Sequence, residues 1–446
     1  MTDASPDDPH TPAVCLDVGS CSTKAVLVLP DGTPAGFAEH PTTPDVLTGV
    51  DAAVAAAAAA AGRGRRAAPR VLACSSAGGA LRLAVVGAET LIATEAGHRV
   101  CRSAGARVVG VHPGPLEPDA VLELSSRRPG AVLLLGGADG ADPAVLLHNA
   151  GRLARTRGHW PVLLSVDDDD ARADALGLLL AGGRAVTTCP NVTPQPGRIV
   201  AGPARDAVAA LYARHVLGAG TGRFGALVHS ATHAAVGAGA GVLARLTGTG
   251  VLVVDVGSAT TDVHRGGPGP GPAAATVEGD LGVRDGAVGV LTEAQTEGIV
   301  DPVEADLLGP AVAALQESRA TVPADRGAAA EDRRLAAIAA VVALRRHLRH
   351  TGVLADPAHP GTGPDTPVDA GEIGLVVLTG GVFRQRDAAG LAAAARTVRH
   401  DAVLAPLLAR AEVRVDSESV LAPAGLLAAH GREVAAGGLL AEHLTG

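Results

Sequence analysis

Residues 13–29, AVCLDVGSCSTKAVLVL, constrain the fold of this chain more than any other stretch. An apolar run ends in Asp17, small polar residues follow (Gly19, Ser20, Cys21, Ser22, Thr23), and Lys24 opens a second apolar run. The pattern predicts a strand, a tight turn and a strand. It aims backbone N–H groups, hydroxyls, one carboxylate and one ammonium at a single point, which suits a phosphate with its metal ion. The chain does this twice. Residues 253–263 read VVDVGSATTDV, so that Asp17, Val18, Gly19, Ser20 and Thr23 recur in the same spacing as Asp255, Val256, Gly257, Ser258 and Thr261. Two such turns predict two related halves facing one phosphate chain.

At 446 residues the chain is long enough for two or more domains, each with its own core. Hydrophobic residues make up 47% and aromatics only 1%, so those cores are predicted to be aliphatic. A formal charge of -9, with no clustered basic face and no interleaved aromatics, argues against a dedicated nucleic-acid binder. Residues 1–12 are acidic and Pro-rich where a secretory signal is basic and then apolar, and no uninterrupted apolar stretch reaches membrane-spanning length. The expectation is a soluble cytoplasmic protein with no membrane partner. Five cysteines (Cys15, Cys21, Cys74, Cys101, Cys189) without a CxxC pair fit neither a disulfide scaffold nor a zinc or iron–sulfur site. Lysine and arginine total 37, yet Lys24 is the only lysine. Beside a phosphate in a crowded turn, a compact point charge fits where a planar fork does not.

In chain order, residues 1–12 are expected as a disordered tail, 34–38 as a third antiparallel strand, 50–62 as an alanine-rich helix, and 70–73 as a strand running into CSSAGG (74–79). From 107 to 190 strands at 107–111, 131–135, 161–165 and 184–188 alternate with helices at 116–126, 142–156 and 170–181, which predicts a parallel sheet. Gly136-Gly137-Ala138-Asp139-Gly140 and the aspartates 167–170 lie at strand ends, the edge where ligands bind in such sheets. The aspartates read as a solvated loop with a helix N-cap. NVTPQPG (191–197) is a connection into a helix at 203–216. His229 and His233, four apart, could share a helix face as in some metal sites, but no Glu or Cys nearby completes a ligand set. The second half opens with a strand at 251–254 and the second turn, then a Gly/Pro loop at 266–272, Glu278, Asp280 and Arg284 close together, a helix at 329–350 and a loop at 355–371. The apolar run 373–378 ends in Thr379-Gly380-Gly381, a glycine pair that lets backbone approach a flat ligand such as adenine.

DVGSCSTK (17–24), DVGSATTD (255–262) and VVLTGG (376–381) resemble, in order, the first phosphate, second phosphate and adenosine motifs of the actin, heat-shock chaperone and sugar kinase ATPase superfamily. More narrowly, CSSAGGALRLAVVG (74–87), LLLGGADGA (133–141), NVTPQPG (191–197), VDVGSATTDVH (254–264) and EGDLGVR (278–284) resemble the MutL-type accessory protein of coenzyme B12-dependent glutamate mutase, unrelated to the mismatch-repair protein of that name. The resemblance implies an α/β, two-lobed actin-like ATPase fold with duplicated ribonuclease H-like halves. The lobes would be residues 13–246 and 247–446, with 107–190 either an inserted parallel α/β segment or part of the first lobe. It implies ATP and Mg²⁺ in the cleft. Asp17 would hold the metal through water, Gly19 and Gly257 would shape the turns, and Lys24 with Ser20 and Thr23 would contact phosphates. Asp255 would orient the metal or the attacking water, Thr260 and Thr261 would meet the γ-phosphate, and Gly380 and Gly381 would pass beside adenosine. Two functions follow from the resemblance. One is an ATP-using, chaperone-like or reactivating helper of a cobalamin-dependent mutase, the mutase subunit being its partner; the other is a small-molecule kinase of the same superfamily. The TTD after the second turn looks more like the partner-remodelling branches.

Overall fold

Aliphatic runs bounded by glycine, proline and aspartate become the strands of three sheets. The structure, a computed structural model, describes residues 10–445 apart from 44, 61–68, 78–80, 89, 105, 139, 196–198, 201, 216–221, 270–273, 318–322, 324, 356–372 and 385–386. The expected tail before residue 10, the glycines that end CSSAGG, Asp139, and parts of the 191–197, 266–272 and 355–371 loops lie outside the described residues. The chain divides into two compact units, one of residues 1–79, 217–276 and 280–446, the other of residues 80–216 and 277–279.

The first unit begins with β1 (Ala13–Val18), β2 (Ser22–Val28), β3 (Pro34–Pro41), α1 (Val46–Ala60) and β4 (Arg70–Ser75). The second unit then holds β5 (Leu81–Gly87), α2 (Thr90–Ala104), β6 (Ala106–Pro113), α3 (Pro118–Ser126), β7 (Ala131–Leu135), α4 (Ala144–Arg155), β8 (Val162–Ser165), α5 (Asp169–Ala181), β9 (Val186–Cys189) and α6 (Gly202–His215). Its sheet has the order β6-β5-β7-β8-β9, and every neighbouring pair is parallel. The strand–helix alternation predicts this sheet, except that β5, which pairs with both β6 and β7, lies before the expected segment. Asp168 caps α5, its carboxylate accepting the Ala171 N–H at 2.7 Å, as expected of the aspartate run.

The chain returns to the first unit with α7 (Gly222–Leu227), β10 (Val228–Ala231), α8 (Thr232–Thr247), β11 (Gly250–Val256) and β12 (Thr261–Gly266), followed by β13 (Ala274–Glu278). Then come α9 (Ala287–Thr296), α10 (Pro302–Glu317), α11 (Arg326–His350), β14 (Ile373–Thr379), α12 (Ala388–Arg399), β15 (Glu412–Val415), α13 (Leu421–Ala429) and α14 (Glu433–Leu440). The two sheets have matching orders, β3-β2-β1-β4-β10 and β13-β12-β11-β14-β15. In each, the first strand pairs antiparallel with the second and parallel with the fourth, and the fifth strand lies parallel beside the fourth. This is the doubled ribonuclease H-like arrangement of an actin-like fold, reached from topology alone.

The core that joins the halves is a layer of α8, α13 and α14 packed against β1, β2 and β4 on one side and β11 and β14 on the other. The two central helices meet at Gly239 and Gly425, whose missing side chains let backbone lie on backbone. The other faces of the sheets are covered by α1 and by α9 to α12. Arginine supplies the buried ion pairs here: Arg284 holds Asp332 through two bonds of 2.7 and 2.8 Å, and Arg345 holds Asp401 at 3.0 and 2.7 Å. Among the described residues no helix is long and apolar enough to cross a membrane.

Candidate functional site

Pairing of β1 with β2 sets Asp17 opposite Lys24, and Lys24 Nζ donates to Asp17 Oδ2 at 3.1 Å. The other carboxylate oxygen accepts from Thr232 Oγ1 at 2.8 Å, from the first residue of α8. The turn closes with the Gly19 N–H on the Ser22 carbonyl, and its counterpart closes with the Gly257 N–H on the Thr260 carbonyl, each at 2.9 Å. A Cβ at Gly19 would stand 2.8 Å from Ser22 O, and one at Gly257 3.0 Å from Thr260 O, so both turns need glycine.

Thr23 and Thr261 are fully buried behind these turns. The Thr23 hydroxyl lies 3.2 Å from that of Thr42, which itself donates to the Gly19 carbonyl at 2.8 Å. Thr261 Oγ1 donates to the Leu281 carbonyl at 2.7 Å. These two threonines brace the turns, whereas Ser20 and Thr260 stay partly exposed. The segment 278–284 supports the second turn from below. Val283 N–H reaches the Gly257 carbonyl at 3.1 Å, and the Arg284 and Asp285 N–H groups reach Ser258 O at 3.0 Å. Its charged side chains serve the core instead, since Asp280 pairs with Arg346 at 3.0 Å and Arg284 with Asp332.

On β11, Asp255 lies between Asp262 of β12 and Thr379 of β14. The position that holds Lys24 in the first hairpin therefore holds an aspartate in the second. Burial pushes the Asp255 carboxyl up to about 6; Lys24 opposes the rise, and Asp17 and Asp416 add to it. Burial pulls the Lys24 ammonium down, but Asp17 and Asp255 outweigh it and hold it above its ordinary value. Charges from both hairpins thus act on one another.

Gly380 has φ +128°, and a Cβ there would overlap the Val256 carbonyl; around the Cβ position of Gly381 there is open space. The following 3-10 turn, Gly381–Arg384, ends in an arginine that reaches Glu39 Oε2 at 3.1 Å, and Glu39 is the register partner of Lys24. Thr379 Oγ1 donates to the buried Asp416 at 3.0 Å, and burial raises that carboxyl. Thr42, Thr232, Arg384 and Asp416 carry no local signal, because strand order alone brings them here. The four-residue spacing of His229 and His233 misleads: His229 is on β10, where its Nδ1 accepts the Ala73 N–H at 3.3 Å and its ring meets His430 edge-on at 4.6 Å, while His233 is on α8.

Two carboxylates and the nearby hydroxyls offer hard oxygen ligands that fit Mg²⁺, which keeps several waters and shares its remaining positions with phosphate oxygens, while the turn N–H groups suit the phosphate oxygens themselves. Asp255 in particular is a partly buried carboxylate whose upward shift Lys24 does not cancel, and a divalent cation would supply the missing positive charge. Among the described residues no group of three or more His, Cys, Asp or Glu could hold an ion.

A family model described as MutL protein matches residues 13–444. Protein MutL of Clostridium tetanomorphum is 33% identical over 244 residues, which are 49% of this chain and 52% of that protein. The match thus spans about half the length of that curated relative. Among solved structures, (R)-2-hydroxyglutaryl-CoA dehydratase component A of Acidaminococcus fermentans is 10% identical over 96% of each chain, with a TM-score of 0.30. A ROK family glucokinase of Streptomyces griseus, in complex with glucose and AMPPNP, is 12% identical over 92% of this chain and 97% of its own, with a TM-score of 0.32. Because the family model runs through nearly all of both units, the chain belongs to the MutL family.

Proposed function

We propose that the chain binds ATP with Mg²⁺ between the two turns of its first unit, and acts in the cytoplasm as an accessory protein of a cobalamin-dependent mutase, glutamate mutase being the candidate partner. The observation that carries this reading is the pair Asp17–Lys24 brought within electrostatic reach of Asp255 by two copies of one turn. Lys24 and Ser20 hold phosphate oxygens, and the turn amides add donors that carry no desolvation cost of a free charge. Asp17 and Asp255 hold the metal, the first oriented by Thr232. Thr260 serves the terminal phosphate, with Thr23 and Thr261 fixing the turns behind. Gly380 and Gly381 leave backbone open to the adenosine. Bound Mg²⁺ supplies neutralisation of phosphate charge, and phosphoryl transfer asks the protein for little beyond position and charge.

A ligand shifts an equilibrium only by binding one state better than another. A helper driven by nucleotide must therefore bind its mutase differently with ATP than with ADP, and by linkage the mutase changes nucleotide affinity by the same factor. Binding of the mutase measured with Mg²⁺–ATP, with Mg²⁺–ADP and without nucleotide should differ by about tenfold or more between states. Equal affinity in all three states removes the helper role, and a phosphorylated small product would replace it with a kinase.

A further inference from the structure

The second unit carries motifs that the nucleotide reading leaves without a task. In its sheet, β6 follows β5 on one side while β7 lies on the other, so the winding reverses between β5 and β7. In open parallel sheets that reversal opens a crevice at the carboxyl ends of the two strands, where ligands bind. A recess of about 90 Å³ lies there, beginning at Gly87 and Leu135, the last residues of β5 and β7.

Its floor is peptide rather than side chain, because Gly87, Gly136 and Gly137 line it. Its opposite wall is aliphatic, from Ala93 of α2 and from Val145 and Leu146 of α4. The loops around it are tied together by buried polar groups. Asn191 Nδ2 donates to the Gly137 carbonyl at 2.8 Å, and its Oδ1 accepts from the Thr193 N–H at 3.0 Å. Ser165 Oγ takes the Val192 N–H at 2.8 Å, and the Ser165 carbonyl takes the Gly136 N–H at 2.9 Å. The ends of β7, β8 and β9 are thereby held in one preformed rim.

We propose that this recess binds one flat, uncharged heteroaromatic ring, independently of the nucleotide site. A slot between bare peptide and methyl groups fits a ring whose face is apolar and whose edge carries hydrogen-bonding atoms. The volume is below the roughly 300–1,000 Å³ of a pocket that encloses a whole ligand, so the remainder of the molecule lies over the open edge of the sheet. Among the described lining residues none is Lys or Arg, while Asp142 and Gln195 stand at the rim, which selects against a phosphate.

The test uses the full-length protein with Mg²⁺–ATP in excess, and follows adenosine and riboflavin by ligand-observed magnetisation transfer beside AMP and FMN. At least one neutral probe should bind with a Kd below about 1 mM, and its phosphorylated form should bind no more tightly. Ala141 is exposed at the rim, so Ala141→Trp should leave the melting temperature unchanged and weaken that binding about tenfold or more. Gln195→Arg, which adds a cation without filling the slot, should turn the preference toward the phosphorylated probe. Binding of neither neutral probe, equal binding by Ala141→Trp, or tighter binding of AMP or FMN to the wild type would overturn the proposal.

Discussion

The two hairpins share a backbone and differ in charge. Asp17 faces Lys24 across its hairpin and accepts from Thr232, so both of its oxygens are engaged before any ligand arrives. Asp255, at the equivalent place, faces Asp262, and its carboxyl rises to about 6. One turn is electrostatically complete and the other is short of a cation. Duplication has kept the geometry of the turn and divided the charges, with a lysine facing one aspartate and an aspartate facing the other.

The sharpest way to break this comparison is stability. Asp17→Asn leaves Lys24 without its ion pair and should cost about 1–3 kcal/mol in urea unfolding at pH 7.5 without ligand. Asp255→Asn removes a partly buried charge that folding disfavours and should gain about 1–3 kcal/mol under the same conditions. Changes of the same sign would show that the two turns are not electrostatically different.

A pH series sharpens it further. The Asp255 carboxyl titrates near 3.8 when unfolded and near 6 when folded. Its ionisation therefore weakens the ligand-free fold: the penalty is absent below about pH 4, grows as pH rises, and is complete above about pH 6. Metal binding needs the ionised form, so affinity for Mg²⁺–ATP should rise about tenfold per pH unit below 6 and level off above it. In Asp255→Asn both slopes should vanish. A slope retained in that variant assigns the titration to another group.

Smaller effects are expected from the threonines that orient the carboxylates. Thr232→Val removes the hydroxyl donor from Asp17 Oδ1, and Thr379→Val removes that from Asp416 Oδ2; each should cost about 1 kcal/mol in the same unfolding assay. A cost near zero at Thr232 would mean that Asp17 is positioned by Lys24 alone.

Much of this site is legible in the residues before any fold is known. Each turn is a local object, an apolar run ending in Asp-Val-Gly-Ser, and the hydrogen bond that closes it, from the glycine N–H to the carbonyl three residues on, is local too. Glycines at Gly380 and Gly381 are legible for the same reason, since a strand that ends in two of them permits close approach. Thr232 and Asp416 are not, because each follows the fifth strand of its sheet and reaches the site only through strand order. The roles of Thr23 and Thr261 also depend on the third dimension: the motif places a hydroxyl near the turn, but the pleat points it inward to Thr42 and to Leu281. In the second unit β7 stands where alternation predicts it, whereas β5, LRLAVVG with one exposed arginine, has no periodicity to separate it from its flanks.

Calorimetric titration with ATP, with and without Mg²⁺, tests most directly whether one nucleotide unites the two turns. The wild type should bind one equivalent only when Mg²⁺ is present, and Asp17→Ala and Asp255→Ala should each lose at least about a hundredfold in affinity while keeping a cooperative unfolding transition. Wild-type affinity in either variant, or binding indifferent to Mg²⁺, would contradict it.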